Sequence, residues 1–132
     1  LKRSLGARGP KAVVTALTPT VERGSLYARV LLEVARKHLD EVRGCYRDHG
    51  LREQPRLMGN VVIQAEIAPD GAVKTATVAG STLGHARTEE CIVTRWKAWL
   101  FPKASTSTVL RFRYALVPDH GKAPHHSFRR AP

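Results

Sequence analysis

The residues of this chain that could do chemistry are few. Cys45 and Cys91 are its two cysteines. Two are too few for a disulfide scaffold and cannot make a zinc site unaided, so they either pair or stand as two buried thiols. His120, His125 and His126 crowd the C-terminal tail. A metal site needs ligands converging from a rigid frame, and a tail without periodic apolar residues reads as solvated chain. The acid pairs Asp40-Glu41 and Glu89-Glu90 sit among basic residues on expected helices. They read as surface charge. Ser81 lies in Ser81-Thr82-Leu83-Gly84, without the Gly-x-Ser-x-Gly pattern of a nucleophile elbow. No nucleophile–base pattern emerges, so no enzyme activity, cofactor, metal or small-molecule substrate is expected.

The elements that would position these residues are organised around Gly59–Gly80. Val61, Ile63, Ala65 and Ile67 alternate with Val62, Gln64, Glu66 and Ala68. That period of two marks a half-buried strand. Pro69-Asp70-Gly71 supplies a preset φ, a side chain that bonds its own backbone, and a residue tolerant of positive φ. A second strand follows, with Val73, Thr75, Thr77 and Val78. Its alternation slips near Ala76, as at a β-bulge.

A helix is expected before this hairpin, from Ser25 as N-cap to Gly50 as stop. Leu31, Leu32, Ala35, His38, Leu39, Val42, Cys45, Tyr46 and Tyr27 share one arc of it, and charged residues the other. A second helix spans about His85–Trp99 and ends before Pro102. Thr88, Cys91, Ile92, Trp96 and Trp99 share its apolar arc. Two tryptophans on one face could form a ligand platform. Their large apolar area favours core. The last strand is Thr108–Val117, with Leu110, Phe112, Tyr114 and Leu116 on one face and Val109, Arg111, Arg113 and Ala115 on the other.

The chain has 132 residues and a net charge of +11, which suits one domain. Residues 1–23 read as a linker with room for one extended segment, since Pro10 and Pro19 oppose a helix. Residues 24–117 form the domain, and 118–132 a basic, disordered tail. Trimming residues 1–20 and 119–132 is expected to cost little stability. No apolar run approaches a membrane span, and no signal peptide is visible. The chain opens on Leu1, so it reads as a processed piece with any anchor upstream.

The order helix–strand–strand–helix–strand gives an α+β, two-layer sandwich. Its three-stranded antiparallel sheet carries both helices on one face, with strand three beside strand one. In this arrangement strand three is an open edge.

At these motifs the sequence resembles the C-terminal domain of TonB. The resemblance rests on Ile67-Ala-Pro-Asp70-Gly71-Ala-Val73, Val78, a helix ending Trp99-Leu-Phe101-Pro102, and an alternating last strand. It is most similar to a TonB-like branch, the AgmX/PglI C-terminal domain of myxobacteria. That likeness lies at Gly24-Ser-Leu26, His38-Leu39-Asp-Glu-Val42-Arg43-Gly-Cys45-Tyr46, Pro55-x-Leu57-x-Gly59, Ser81-Thr82-Leu83-Gly84, Glu90-Cys91-Ile92 and Trp99-x-Phe101-Pro102. It covers about residues 24–117. Trp96 departs from it, standing where a smaller apolar residue is usual, and the basic tail is extra. The resemblance implies a periplasmic module below an inner-membrane anchor, in an energy-transduction or gliding-motility complex. It also places a cysteine in each helix, which implies a Cys45–Cys91 disulfide in an oxidising compartment.

Two functions of different kinds follow. The first is docking of an envelope protein or peptide by strand addition along Thr108, Val109, Leu110, Arg111, Phe112, Arg113, Tyr114 and Ala115. Two copies pairing through the same edge would give a homodimer. The second is charge-driven binding of nucleic acid or an anionic envelope surface. Nucleic acid ranks lower because Phe112 and Tyr114 should face the helices, leaving no base-stacking platform.

Overall fold

The computed structural model describes residues 11–119. The hairpin at its centre forms as its pattern demands. β3 (Gly59–Ile67) and β4 (Val73–Ser81) pair antiparallel. Gly71 N–H donates to the Ala68 carbonyl at 2.9 Å, and Asp70 Oδ1 accepts from Ala72 N–H at 3.0 Å. Gly71 has φ +97°, and a Cβ there would lie 2.0 Å from the Phe101 carbonyl oxygen. Only glycine serves both needs. β4 carries two irregularities, not one. Its register shifts between Val62 and Ile63 and again between Glu66 and Ile67, bracketing Ala76. The extra residues, Ala79 and Lys74, are looped out of the ladder.

Two strands precede the first helix, where a linker was expected. These are β1 (Lys11–Ala16) and β2 (Thr20–Arg23). Both pair antiparallel with β5 (Thr108–Asp119), on the side away from β3. The sheet therefore has five antiparallel strands in the order β1-β5-β3-β4, with β2 continuing β1 along β5. Strand three, now β5, does lie beside strand one, now β3. It is the middle of the sheet, not an edge, because residues 11–23 satisfy the groups expected to be open. Ala12 and Val14 are buried in the core while Lys11, Val13 and Thr15 are exposed. Residues 11–20 are thus part of the fold, which corrects the expectation that trimming them costs little. The tail also starts later, since Pro118 and Asp119 belong to β5. Residues 1–10 and 120–132, with His120, His125 and His126, lie outside the described residues.

The expected single helix is broken. α1 (Ala28–Lys37) and α2 (Leu39–Cys45) are separated at His38, and a π-helical turn (Tyr46–Leu51) follows. Tyr27, not Ser25, precedes the first turn, and its side chain makes no cap. Ser25 Oγ instead accepts from Thr106 N–H at 3.2 Å. Tyr27 is consequently outside the helix and 71% exposed, not on the apolar arc. Gly50 does not stop the helix. It is buried inside the π turn, against Leu57 and Thr88. α3 (Ala86–Lys97) follows β4 as expected, with Ile92 and Trp96 buried on its inner arc.

The helices cover one face of the sheet. The core between them holds Leu31, Ala35, Val42 and Tyr46, α3 with Trp99 and Phe101, and the inward residues of β1, β3 and β5. Trp96 packs beside Trp99, Phe101 and Phe112 at ring distances of 4.9–5.8 Å. The tryptophans are core. Cys45 and Cys91 are bonded, with Cα atoms 5.7 Å apart, and tie α2 to α3. The fold is α+β, with a five-stranded antiparallel sheet and three α-helices among the described residues.

Candidate functional site

The residues of the expected docking strand separate by face. Leu110, Phe112 and Tyr114 point into the core, and Arg111 and Arg113 point to solvent on the helix-free face. Thr108 is buried, and its Oγ1 accepts from Leu26 N–H at 3.1 Å. They offer no continuous backbone edge, since β5 is bonded to β3 along one side and on the other to β2 as far as Arg111 and to β1 from Tyr114, with Leu17 N–H donating to the Arg113 carbonyl between. The strand-addition site placed on Thr108–Ala115 therefore has no open ladder to use. Pairing of two copies through β5 is closed by the same strands.

The open edge nearest the helices is β4. Its outer side meets no strand among the described residues. Bulges at Lys74 and Ala79 bend it at both ends, a device that limits pairing. Between them Thr75, Ala76, Thr77 and Val78 keep regular register opposite Glu66–Ile63. Ala76 and Val78 face inward, toward α3. Here β4 and α3 bound a cleft of 520 Å³, lined on the helix side by Ala86, Glu89, Glu90, Val93, Thr94 and Lys97. Its floor is apolar. Its rim is acidic at the start of α3 and basic at the end. The slip in alternation near Ala76 was the one sequence signal that this strand is irregular. β4 is an edge in the expected three-stranded sheet as well; that β5 is not could not be read without knowing that residues 11–23 cap its other side.

The position of α3 is fixed at both ends. At its start His85 Nδ1 accepts from Thr88, from its N–H at 3.4 Å and its hydroxyl at 2.8 Å. Nε2–H then donates to Glu53 Oε1 at 2.9 Å, and Arg87 donates to Oε2 at 2.9 Å. The His85 bond, with Arg87, holds the Glu53 carboxyl below its ordinary value. Hydroxyl, imidazole and carboxylate stand in the order of an acyl-transfer triad. Thr88 is fully buried, however, and the Gly50 backbone packs against its hydroxyl. No carbonyl can reach it, and the trio acts as a helix cap. Sequence reasoning missed it because Glu53 is 32 residues from His85.

Beyond the end of α3, Trp99 Nε1 donates to Glu41 Oε1 at 2.9 Å, and the His38 ring stacks on Trp99 at 4.5 Å. His38 Nδ1 lies 2.7 Å from Glu41 Oε2. Burial pushes the Glu41 carboxyl up. The bonds from Trp99 and His38 and the charges of His38 and Arg95 outweigh it, so the net shift is downward. Asp40 and Glu41, expected as surface charge, thus differ. Exposed Asp40 pairs with Arg43, and Glu41 joins α2 to the segment that follows α3.

The helix-free face of the sheet carries a second depression, of 230 Å³. Arg111, Arg113, Val62 and Gly80 contribute to it, with Leu17 and Thr20 at its border. Arg111 Nε donates to Glu22 at 3.0 Å. Arg113 has no acidic partner among the described residues. Among those residues, no cluster of His, Cys, Asp and Glu could hold a metal ion. Among the described residues no helix is long and apolar enough to cross a membrane. Compared with known proteins, the chain matches no family model, no curated protein and no solved structure.

Proposed function

We propose that this chain is a non-catalytic protein-binding module that takes an extended segment of a partner polypeptide along β4, in the cleft against α3. The observation that carries this is the regular stretch Thr75–Val78, paired with β3 on one side and, among the described residues, with no strand on the other, facing an apolar cleft. An added strand would bond its main chain to β4 and set alternate side chains against Ala76, Val78 and Val93. A basic side chain toward Glu89 and Glu90 and an acidic one toward Lys97 would fix its direction. The bulges at either end restrict the match to about four residues, a short recognition segment. Mutual pairing of whole edges between copies is disfavoured for the same reason.

The setting belongs to the same proposal. An α+β sandwich with an alternating last strand fits the TonB-like resemblance, and the added β1 and β2 depart from the element order it implies. A disulfide persists in an oxidising compartment. We therefore infer a periplasmic module on an upstream inner-membrane anchor, working on an envelope partner of an energy-transduction or motility complex. A charge-driven nucleic-acid binder is less well supported. Of the aromatic side chains among the described residues, only Tyr27 is largely exposed, so bases find no stacking platform.

The test is selection of random displayed peptides against the disulfide-bonded chain, followed by amide exchange. Selected peptides should slow exchange at Thr75–Val78 and lose binding to Ala86→Arg and Val93→Arg. Both variants must melt near the parent temperature. Protection confined to another strand, or undiminished binding by both folded variants, would overturn the reading.

A further inference from the structure

The depression on the helix-free face lies across the sheet from the β4 cleft, and nothing in the proposed docking uses it. Its centre is one row of the sheet, since Val62 pairs with Gly80 on one side and Arg113 on the other. Arg111 stands in the next row, opposite Thr20. Glu22, the residue bulged out of β2, reaches Arg111 and offsets its charge. Among the described residues Arg113 remains as one guanidinium without an acidic partner, exposed, beside the apolar side chains of Leu17, Val62 and Ala79.

We propose that this depression is a carboxylate site that receives the C-terminal residue of a polypeptide. Three properties select that ligand. The volume, 230 Å³, is below the roughly 300–1,000 Å³ of a pocket that encloses a whole small molecule. It holds an end group instead. Among the described residues the free charge is single. That suits a monoanion better than a phosphate monoester, which carries about −1.5 to −2 at neutral pH. A planar guanidinium also meets a planar carboxylate through two parallel N–H donors. Finally, the apolar wall lies beside the cation, where the last side chain of a peptide would sit relative to its own carboxylate. Arg111, already oriented by Glu22, leaves its outer N–H groups for the same carboxylate or for the last peptide carbonyl. Gly80 keeps the rim low, since no atom lies within 4 Å of where its Cβ would be.

The experiment is an NMR titration of the whole disulfide-bonded chain with N-acetyl-Ala-Leu as the free acid. The same dipeptide as its C-terminal amide and inorganic phosphate are the parallel probes. The free acid should shift the Val62, Gly80 and Arg113 amides and bind at least tenfold more tightly than the amide. Arg113→Ala should weaken it at least tenfold, and Arg113→Lys by less. Gly80→Val, which raises the rim without changing charge, should also weaken it. Melting temperatures recorded alongside establish that each variant is folded. Equal binding of acid and amide, or undiminished binding by folded Arg113→Ala, would overturn the site. Phosphate binding more tightly than the free acid would make it a general anion patch and overturn the peptide assignment. Because the β4 cleft is on the other face, Ala86→Arg and Val93→Arg should leave these shifts unchanged.

Discussion

Trp96 Nε1 donates a 3.0 Å hydrogen bond to the Tyr114 hydroxyl, and both side chains are fully buried. This bond joins α3 to the middle strand beneath it. A buried indole N–H without an acceptor costs about 1–3 kcal/mol. Tyr114→Phe should therefore lower the unfolding free energy by about that amount in urea titrations. The ring contacts with Phe112 should remain. A change no larger than that of an exposed substitution would show that the bond carries nothing.

The Cys45–Cys91 bond closes a loop with a sequence separation of 46. The chain-entropy model gives about 4 kcal/mol for a loop of that length, as an upper bound. Reduction, or Cys45→Ala with Cys91→Ala, should lower the melting midpoint without abolishing the fold. Cys45 is buried in the core and Cys91 packs against it, but most of the apolar surface beneath α2 and α3 comes from other side chains. Loss of far-UV helical signal at room temperature on reduction would contradict this.

Acid should weaken the molecule through Glu41. Its carboxyl is held below the ordinary value of 4.5 in the folded chain. A depressed carboxyl adds stability that is complete above the unfolded value and is lost as pH falls through the folded one. Urea midpoints should therefore drop as pH is lowered below about 4.5. Glu41→Gln keeps an acceptor for Trp99 and should flatten part of that drop. Identical pH profiles for parent and variant would refute the assignment. Because Glu41 is 37% exposed, solvent screening keeps the effect small.

Register in β1 makes a paired prediction. Val14 is buried and its neighbour Val13 is 41% exposed. Val14→Asp buries an unpaired charge and should lower stability by several kcal/mol, on the order of 3 or more. Val13→Asp should change it by about 0.5 kcal/mol or less. Equal effects measured by thermal melts would return residues 11–16 to the status of a linker.

The parts of the fold legible in the sequence are those whose periodicity is local. Val61–Ile67, the Pro69-Asp70-Gly71 turn, the α3 arc and Leu110–Leu116 each carry their own pattern, and each forms. The break at His38 and the π turn were hidden because the apolar arc runs through both without interruption. β1 and β2 were hidden for a different reason. They are short, Pro19 lies between them, and their partner is about one hundred residues away. Missing them left β5 as a second open edge beside β4, so the docking edge was sought on a strand that is paired on both sides, although the faces of Arg111 and Phe112 were read correctly. The β4–α3 cleft joins a bulged strand to a helix, a relation that no single stretch of sequence displays.

The pairing of Lys11 with Asp119 has a mechanical consequence. The first and last described strands run antiparallel and side by side, so both ends leave the sheet at the same corner. Tension applied between those two points would load the β1–β5 bonds one at a time, starting at Lys11, instead of shearing them together. Such a junction opens like a zip at low force. Peeling would expose the outer side of β5, with its backbone groups, while the disulfide between α2 and α3 remains outside the strained path.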